Sequence, residues 1–259
     1  MPGTGDWVEQ VPLQVVPDQV SVTIGDLGFA GRYLPAGQGA EPIAGDFYDL
    51  IPLGTDLVAI VVGDVSGHGP AALARMLQLR AATRAYAIEE SGPASVLGRL
   101  DRFCIRLDPE SIATLWYGEY QPSTGSLSYA AAGHPPPVLA APGQPVRLLP
   151  RADAPPLGTG DVAVADVHQE QLPVGAVLVA YSDGLVERHD ADFELQLATL
   201  QEVVTVAAHP SRPRGAAEIA DQVLETLIPV REQAQDDVCL LVVRREAATG
   251  RNADQTIRL

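Results

Sequence analysis

Four aspartates stand beside apolar runs, where their carboxylates could come together and bind metal ions. They are Asp46, Asp64, Asp183 and Asp236. Two apolar runs finish at Asp64 and Asp183, whereas a third begins directly after the Asp236-Asp237 pair. In an antiparallel sheet, two strands that end at an edge and one strand that begins at the same edge would gather Asp64, Asp183 and Asp236 there. Asp46 opens a further strand candidate and supplies a fourth carboxylate.

Gathered carboxylates repel one another, so this arrangement needs a positive counter-charge. At ~4 Å and an effective dielectric constant of ~20, each pair costs about 4 kcal/mol. The chain has no lysine to offer, because all 17 basic residues are arginine, and a bound cation is the natural solution. Oxygen ligands favour hard ions such as Mg²⁺ or Mn²⁺, whereas zinc prefers clusters of histidine and cysteine. Two such ions can ionise a water and stabilise the oxygens of a phosphoryl group under attack.

Each aspartate taken alone also has a simpler interpretation. Asp183-Gly184 and Asp236-Asp237 are typical of an ordinary turn or cap. Gly63-Asp64 is more specific, because three glycines (Gly63, Gly67 and Gly69) lie close to the aspartate in the sequence. It is the combination of the four positions that favours a metal site.

Seven short stretches carry a resemblance to a known family. In chain order they are Arg32-Tyr33-Leu34-Pro35-Ala36, Gly45-Asp46-Phe47-Tyr48-Asp49, Gly63-Asp64-Val65-Ser66-Gly67-His68-Gly69, Ala132-Gly133-His134-Pro135-Pro136-Pro137, Pro156-Leu157-Gly158, Tyr181-Ser182-Asp183-Gly184-Leu185-Val186-Glu187 and Asp236-Asp237-Val238. With these motifs the chain resembles the SpoIIE-type branch of the metal-dependent PPM phosphatases, which are relatives of the type 2C serine/threonine phosphatases.

The resemblance implies an α+β fold, an αββα sandwich of two mainly antiparallel sheets flanked by helices. It also implies a catalytic site with two divalent cations, Mn²⁺ or Mg²⁺, at one end of the sheets. By motif match, Asp64 bridges both ions. Asp46 and the backbone carbonyl of Val65 complete the ligand set of one ion, while Asp183 and Asp236 bind the other.

The function implied by the resemblance is hydrolysis of phosphoserine or phosphothreonine on a regulatory protein. Members of this branch typically act on anti-anti-sigma (STAS) proteins in bacterial sigma-factor signalling. Two alternatives stay open: a catalytically silent module that binds a signalling partner, and a two-metal hydrolase of small phosphoesters. The silent module is disfavoured because all four aspartates are present.

The strand and helix patterns occur in blocks, which favours layered antiparallel sheets over a doubly wound parallel sheet. Strand candidates are Val22–Tyr33, Phe47–Pro52, Leu57–Gly63, Ile112–Tyr120, Leu127–Ala131, Val138–Ala140, Val146–Leu149, Val162–His168, Ala176–Tyr181 and Val238–Val243. Helix candidates are Pro70–Ile88, Pro93–Leu107, Leu195–Val206 and Gly215–Leu227. We predict a lead-in over 1–21, one phosphatase domain over 22–245 and a flexible tail over 246–259.

The composition excludes several classes of protein. A net charge of −16 repels phosphate backbones and anionic membranes, so we expect no nucleic-acid partner. No apolar run approaches the ~20 residues that a membrane helix needs. The two cysteines, Cys104 and Cys239, form no CxxC pair, and we expect both to be buried in a cytoplasmic protein.

Two pairs of residues near these motifs have competing interpretations. His68 and His134 could donate a proton to the leaving oxygen, but loop packing is the preferred interpretation. Arg80 and Arg84 could attract a phosphoprotein, but a solvated helix face is preferred. The first two helices follow the Asp64 loop directly, so we hypothesise that they bind an activating protein or form a homodimer.

Overall fold

The computed structural model describes most of the chain between residues 17 and 247. The described residues are 17–35, 45–67, 69–89, 92–107, 112–151, 154–160, 165–187, 191–209, 211, 214–230, 234 and 236–247. The strands are β1 Gln19–Ile24, β2 Leu27–Leu34, β3 Asp46–Pro52, β4 Val58–Val65, β5 Ala113–Gln121, β6 Ser126–Ala132, β7 Val138–Ala140, β8 Arg147–Leu148, β9 His168–Gln171, β10 Val177–Tyr181 and β11 Val238–Arg245. The helices are α1 Gly69–Glu89, α2 Pro93–Leu107, α3 Phe193–Ala207 and α4 Ala216–Leu227, with a short 3-10 helix at Asp183–Leu185.

The strands form two antiparallel sheets that pack face to face between two layers of helices. One sheet has the order β1-β2-β11-β10-β7-β8 and the other the order β3-β4-β5-β6-β9. Helices α1 and α2 pack on the five-stranded sheet, whereas α3 and α4 pack on the six-stranded sheet. This four-layer arrangement is the αββα sandwich that the sequence predicts. All four predicted helices are present, with bounds that differ from the prediction by at most two residues.

The last strand, β11, is buried on both faces. Its residues alternate between the core that lies between the sheets, which contains Cys239 and Leu241, and the core beneath α3 and α4, which contains Val238 and Leu240. An apolar run without polar alternation fits such a position, because each face of the strand meets another layer. β11 follows the final helix in sequence and inserts between β2 and β10.

The predicted strand Val22–Tyr33 is wrong, because this segment is a hairpin of two strands. Ile24 pairs with Leu27, so Gly25 and Asp26 alone make the turn. Gly25 has φ +62°, a left-handed conformation that glycine adopts without steric cost. A Gly-Asp pair between two apolar runs is a known hairpin signal, and it was available in the sequence.

Two other predicted boundaries differ from the structure by more than two residues. The strand expected at 162–168 is displaced, because β9 begins only at His168 and residues 162–164 lie outside the described part of the chain. β1 begins at Gln19, and the carbonyl of Pro17 accepts a 2.8 Å hydrogen bond from the Tyr48 hydroxyl. Residues 17–21 of the predicted lead-in therefore pack with the folded domain, and residues 1–16 lie outside the described part of the chain. Of the predicted tail, residues 248–259 lie outside the described part.

Among the described helices, none is both long and apolar enough to cross a membrane.

Candidate metal centre

Asp46 and Asp64 lie side by side at one end of the five-stranded sheet. Asp46 is the first residue of β3, and its direct register partner on β4 is Asp64. Asp46 is buried, with 3 % of its surface exposed, whereas Asp64 is partly exposed. Side chains of register partners point to the same face of a sheet, and here that face looks onto the six-stranded sheet. The two carboxylates therefore enter the space between the sheets together.

Asp183 and Asp236 come from the other sheet. Asp183 follows β10 and begins the 3-10 helix, and Asp236 precedes β11, the antiparallel neighbour of β10. Asp236 is exposed and Asp183 is partly exposed. The prediction that one sheet edge gathers Asp64, Asp183 and Asp236 is thus wrong. The aspartates come in pairs from two stacked sheets, because β4 and β10 belong to different sheets.

The backbone carbonyl of Val65 faces the same region as the Asp64 carboxylate. The Val65 N–H donates to the carbonyl of Gly45 at 3.1 Å, which holds the β4 end against the residue before Asp46. A Cβ at position 45 would overlap the Val65 carbonyl oxygen and lie 3.3 Å from Asp64 Oδ1. Glycine at position 45 keeps these two oxygens uncovered, which explains why glycine precedes Asp46.

The four carboxylates influence one another electrostatically. Burial, followed by the charge of Asp64, raises the pKa of Asp46 well above its usual value. Burial and the charges of Asp183 and Asp236 raise the pKa of Asp64 to about 6. The pKa of Asp183 is also raised, by burial and then by Asp236. The shared direction of these shifts indicates that the ionised carboxylates destabilise one another, and a bound cation would relieve that repulsion.

The donor set fits divalent cations in its chemistry. Asp46 Oδ2 is buried and has no hydrogen-bond partner, an oxygen that a cation would satisfy. Carboxylate and carbonyl oxygens are the ligands that Mg²⁺ and Mn²⁺ prefer. In the part of the chain that the structure describes, no three acidic, histidine or cysteine side chains form a ready ligand group. The fit therefore rests on the type and charge of the donors and not on preformed coordination geometry.

Comparison with known proteins places this chain in a family. Residues 54–246 match the family described as Stage II sporulation protein E (SpoIIE). The chain belongs to the SpoIIE family. Among curated proteins it is similar to the phosphoserine phosphatase RsbU of Bacillus subtilis, with 27 % identity over 212 residues, which are 80 % of this chain and 61 % of RsbU. It is also similar to Protein IcfG of Synechocystis, with 28 % identity over 57 % of this chain and 28 % of IcfG. The chain thus spans less than two thirds of either relative.

Solved structures of this family and its neighbours confirm the fold. The RsbU and RsbW domains of Rv1364c from Mycobacterium tuberculosis superpose with a TM-score of 0.81 and 33 % identity, over 92 % of this chain and 65 % of that chain. The PP2C phosphatase domain of SpoIIE from Bacillus subtilis gives a TM-score of 0.70 at 21 % identity, over 87 % and 64 %. RsbX in complex with magnesium gives 0.65 at 14 % identity, over 87 % and 98 %. The predicted PPM sandwich is confirmed.

The sequence analysis missed two side chains that lie close to the candidate metal centre. Asp237 directly follows Asp236 in the sequence, and its charge raises the pKa values of Asp46 and Asp64. Tyr33 is buried, and its pKa is raised by burial and then by Asp237. A signal for Asp237 was present in the sequence. It lies two residues before Cys239, whose side chain faces the space between the sheets, and strand alternation puts both on that face.

His134 packs in the loop after β6, as predicted. It is buried, and its Nδ1 lies 2.8 Å from the hydroxyl of Thr114, the β5 register partner of Asp64. Burial lowers the pKa of His134 to about 3, so the ring is neutral at neutral pH and is a poor proton donor. His134 thus supports the strand beside Asp64. His68 lies outside the described residues.

The prediction that Arg80 and Arg84 form a solvated face is wrong. Both arginines of α1 bind the carboxylate of Asp49, which is buried on β3. Arg84 makes two contacts, at 2.5 and 2.7 Å, and Arg80 one at 3.2 Å. Asp49 and Asp46 lie three residues apart and point to opposite faces of β3, so this ion-pair cluster faces α1 and not the metal centre.

Proposed function

We propose that the chain is a metal-dependent serine/threonine protein phosphatase whose substrate is a phosphorylated anti-anti-sigma (STAS) protein. The observation that carries the proposal is the meeting of carboxylates from both sheets, which raise one another's pKa values and leave Asp46 Oδ2 unpartnered. The similarity to RsbU, a phosphoserine phosphatase, supports the phosphoester substrate.

Two divalent cations, Mn²⁺ or Mg²⁺, fit this donor set. Asp64 would bridge them, with Asp46 and the Val65 carbonyl on one and Asp183 and Asp236 on the other. When bound, such ions lower the pKa of water and neutralise the oxygens of a phosphoryl group. RsbX, a neighbour in fold, has been crystallised in complex with magnesium, which is consistent with this assignment.

The residues of the chain would bind the cations, orient the ligands and leave the site open to substrate on one side. Asp46 and Ser182 are buried on the inner side, whereas Asp236 is exposed on the outer side. A ligand set that opens to solvent can receive a phosphoserine from the surface of another protein. Without cations the carboxylates would repel a phosphate dianion, so substrate binding and metal binding are coupled.

The regulatory setting follows from the relatives. In Rv1364c an RsbU domain occurs in one structure with an RsbW domain, and another neighbour in fold is a protein of the bacterial stressosome. These associations favour a regulatory phosphoprotein over a small metabolite as substrate. An activating protein and a second copy of this chain are proposed to act through α1 and α2, which follow the Asp64 loop.

Turnover of a phosphorylated STAS protein, with an aryl phosphate as comparison, tests the proposal. We expect release of phosphate with Mn²⁺ or Mg²⁺, little with Ca²⁺, which favours longer bonds and more ligands, and none with EDTA. Asp64→Asn should be inactive, whereas Asp166→Asn, at an exposed aspartate away from the site, should retain activity.

Each other outcome points to a different function. Turnover that persists in EDTA would overturn the metal-dependent mechanism. Turnover of the aryl phosphate alone would indicate a hydrolase of small phosphoesters. Binding of the STAS protein without turnover would indicate a catalytically silent module.

A further inference from the structure

Asp101 on α2 is a buried carboxylate that binds a turn more than fifty residues later in the chain. Its surface is 4 % exposed. Its Oδ1 accepts hydrogen bonds from the backbone N–H of Gly158 at 2.8 Å and from that of Gly160 at 3.4 Å. Both glycines have left-handed φ angles, +93° and +88°, which a side chain would strain. The turn thus directs two N–H groups at one oxygen, an arrangement typical of backbone sites for anions.

The same turn pairs with the first residue of β5. Leu157, which precedes Gly158 in a motif that carries the family resemblance, is fully buried. Ala113 and Leu157 exchange two backbone hydrogen bonds, at 3.2 Å from the Ala113 N–H and 2.8 Å from the Leu157 N–H. On its other side, Ala113 is the register partner of Val65 on β4. One residue of β5 therefore lies between the turn that Asp101 holds and the residue whose carbonyl would bind a cation.

Three peptide groups connect Asp101 to that carbonyl through hydrogen bonds. In order, they join Leu157 to Gly158, Ile112 to Ala113, and Val65 to Ser66. The first donates its N–H to Asp101 at 2.8 Å. Its carbonyl accepts from the N–H of the second at 3.2 Å, and the carbonyl of the second accepts from the N–H of the third at 2.9 Å. The carbonyl of the third is the Val65 oxygen, so a continuous chain runs from α2 to the metal centre.

This chain fixes the direction of the Val65 carbonyl. The peptide group between Val65 and Ser66 is trans, so its carbonyl points opposite to its N–H. Because the N–H is bound to β5, the carbonyl points away from β5 towards the start of β3, where a Cβ on Gly45 would overlap it. Each bond in such a chain also polarises the next in the same direction, which makes the Val65 oxygen a stronger ligand.

We propose that Asp101 is a positioning residue, which holds the Val65 carbonyl in the direction that a cation needs by fixing the turn at residues 156–160 against β5. The inference rests on the proposed metal site and assigns Asp101 no contact with the cation or the substrate. It gives the Pro156-Leu157-Gly158 motif a role, because this motif is the part of the chain that connects α2 to β5. Substitutions within such a packed network typically change a coupled affinity by about 3- to 30-fold.

Glu119 on β5 offers a matched control at the other end of α2. Its Oε1 accepts a 3.2 Å hydrogen bond from the N–H of Gly92, the residue before α2, and a 3.1 Å bond from the Tyr117 hydroxyl. Like Asp101, it is an acidic side chain that joins the α2 segment to β5. Its register partner is Ala59, near the end of β4 that lies away from Asp64. Glu119→Ala therefore loosens α2 and leaves the chain of peptide groups intact.

The test measures the Mn²⁺ dissociation constant by calorimetry and the melting temperature of the metal-free protein. We expect Asp101→Ala to raise the dissociation constant by about 3- to 30-fold. Asp101→Asn, whose amide oxygen can accept the same two N–H bonds, should lie closer to wild type. Glu119→Ala should leave the dissociation constant unchanged even if the melting temperature falls. Asp101→Glu, which displaces the carboxylate by one methylene, replaces Asp101→Ala if that variant does not fold, and it should also weaken Mn²⁺ binding.

Three results would overturn the inference and leave the proposed function standing. The first is a wild-type dissociation constant in Asp101→Ala. The second is equal weakening in Asp101→Ala and Glu119→Ala, which would indicate general loosening of α2. The third is an Asp101→Asn variant that binds Mn²⁺ as weakly as Asp101→Ala, because the acceptor would then not be what positions the turn. A wild-type chain that binds no Mn²⁺ would remove the inference and the proposed function together.

Discussion

Asp64 stands directly opposite Asp46 in the β3–β4 register, so two carboxylates share one end of a sheet. Neighbouring strands of a sheet lie only ~5 Å apart, a separation at which two negative charges interact strongly. The pair is therefore unfavourable when it is ionised without a cation.

Replacement of Asp64 separates a metal site from a chance gathering of aspartates. We expect Asp64→Asn to abolish turnover, to leave the metal-free protein as stable as wild type or more stable, and to flatten the melting response to Mn²⁺. Metal should stabilise wild type by ~2.7 kcal/mol at a hundredfold excess over the dissociation constant. Melting curves with EDTA and with excess Mn²⁺ measure all of these effects. A full Mn²⁺-induced shift in the variant would refute the bridging role of Asp64.

The pH dependence of the metal-free protein reports on the same carboxylates. The pKa of Asp64 is raised to about 6 in the folded state, so folding favours the protonated form. Its contribution to stability is present below the unfolded pKa and is lost as the pH rises through about 6. Wild type should therefore lose stability relative to Asp64→Asn between about pH 5 and about pH 7.5. Denaturant titrations of metal-free protein at both pH values measure this difference, and an equal gap at both would contradict the prediction.

The Asp49 cluster predicts a purely structural effect. The Asp49 side chain is 2 % exposed, so Asp49→Ala leaves two arginines beside the sheet without their counter-charge. We expect a loss of about 3 kcal/mol in the free energy of unfolding. Arg84→Ala should cost less, about 1 kcal/mol, because Arg80 still pairs with Asp49 and the Arg84 side chain is 39 % exposed. Denaturant unfolding of both variants measures the two losses in the free energy of unfolding. A larger loss in Arg84→Ala than in Asp49→Ala would contradict this account.

The exposed apolar residues of α1 test the proposed regulatory surface. Leu77 and Ile88 are 41 % and 70 % exposed, and α1 begins just after the Asp64 loop. We expect Leu77→Glu and Ile88→Glu to change the oligomeric state or the Mn²⁺ affinity, measured by light scattering and calorimetry. Val206→Glu on α3, at 54 % exposure, is the matched control and should change neither. If the α1 variants also leave the oligomeric state and the Mn²⁺ affinity unchanged, α1 does not form the proposed regulatory surface.

Much of the fold could be predicted from local patterns in the sequence. The apolar stripe of α4 follows the 3.6-residue period of a helix, and β11 is a continuous apolar run typical of a strand that is buried on both faces. Both elements lie where they were predicted. The Gly25-Asp26 turn follows the same local logic and was missed only because the two strands were read as one.

The sequence by itself determined the donor chemistry of the site, because the aspartates and Gly45 can be read directly from it. The apolar runs beside the aspartates also show that they lie at the ends of strands. Only the tertiary structure decided that two aspartates come from each sheet and that Asp49 pairs with both arginines. These relationships join distant residues, such as Asp64 and Asp236, which lie 172 positions apart in the sequence. Strand alternation fixes the face on which a side chain lies, but not which distant strand lies opposite that face. The strand that lies opposite is selected by the packing of the two whole sheets. This packing places β11 between β2 and β10 and brings Asp183 and Asp236 to the end of the sandwich that holds Asp46 and Asp64.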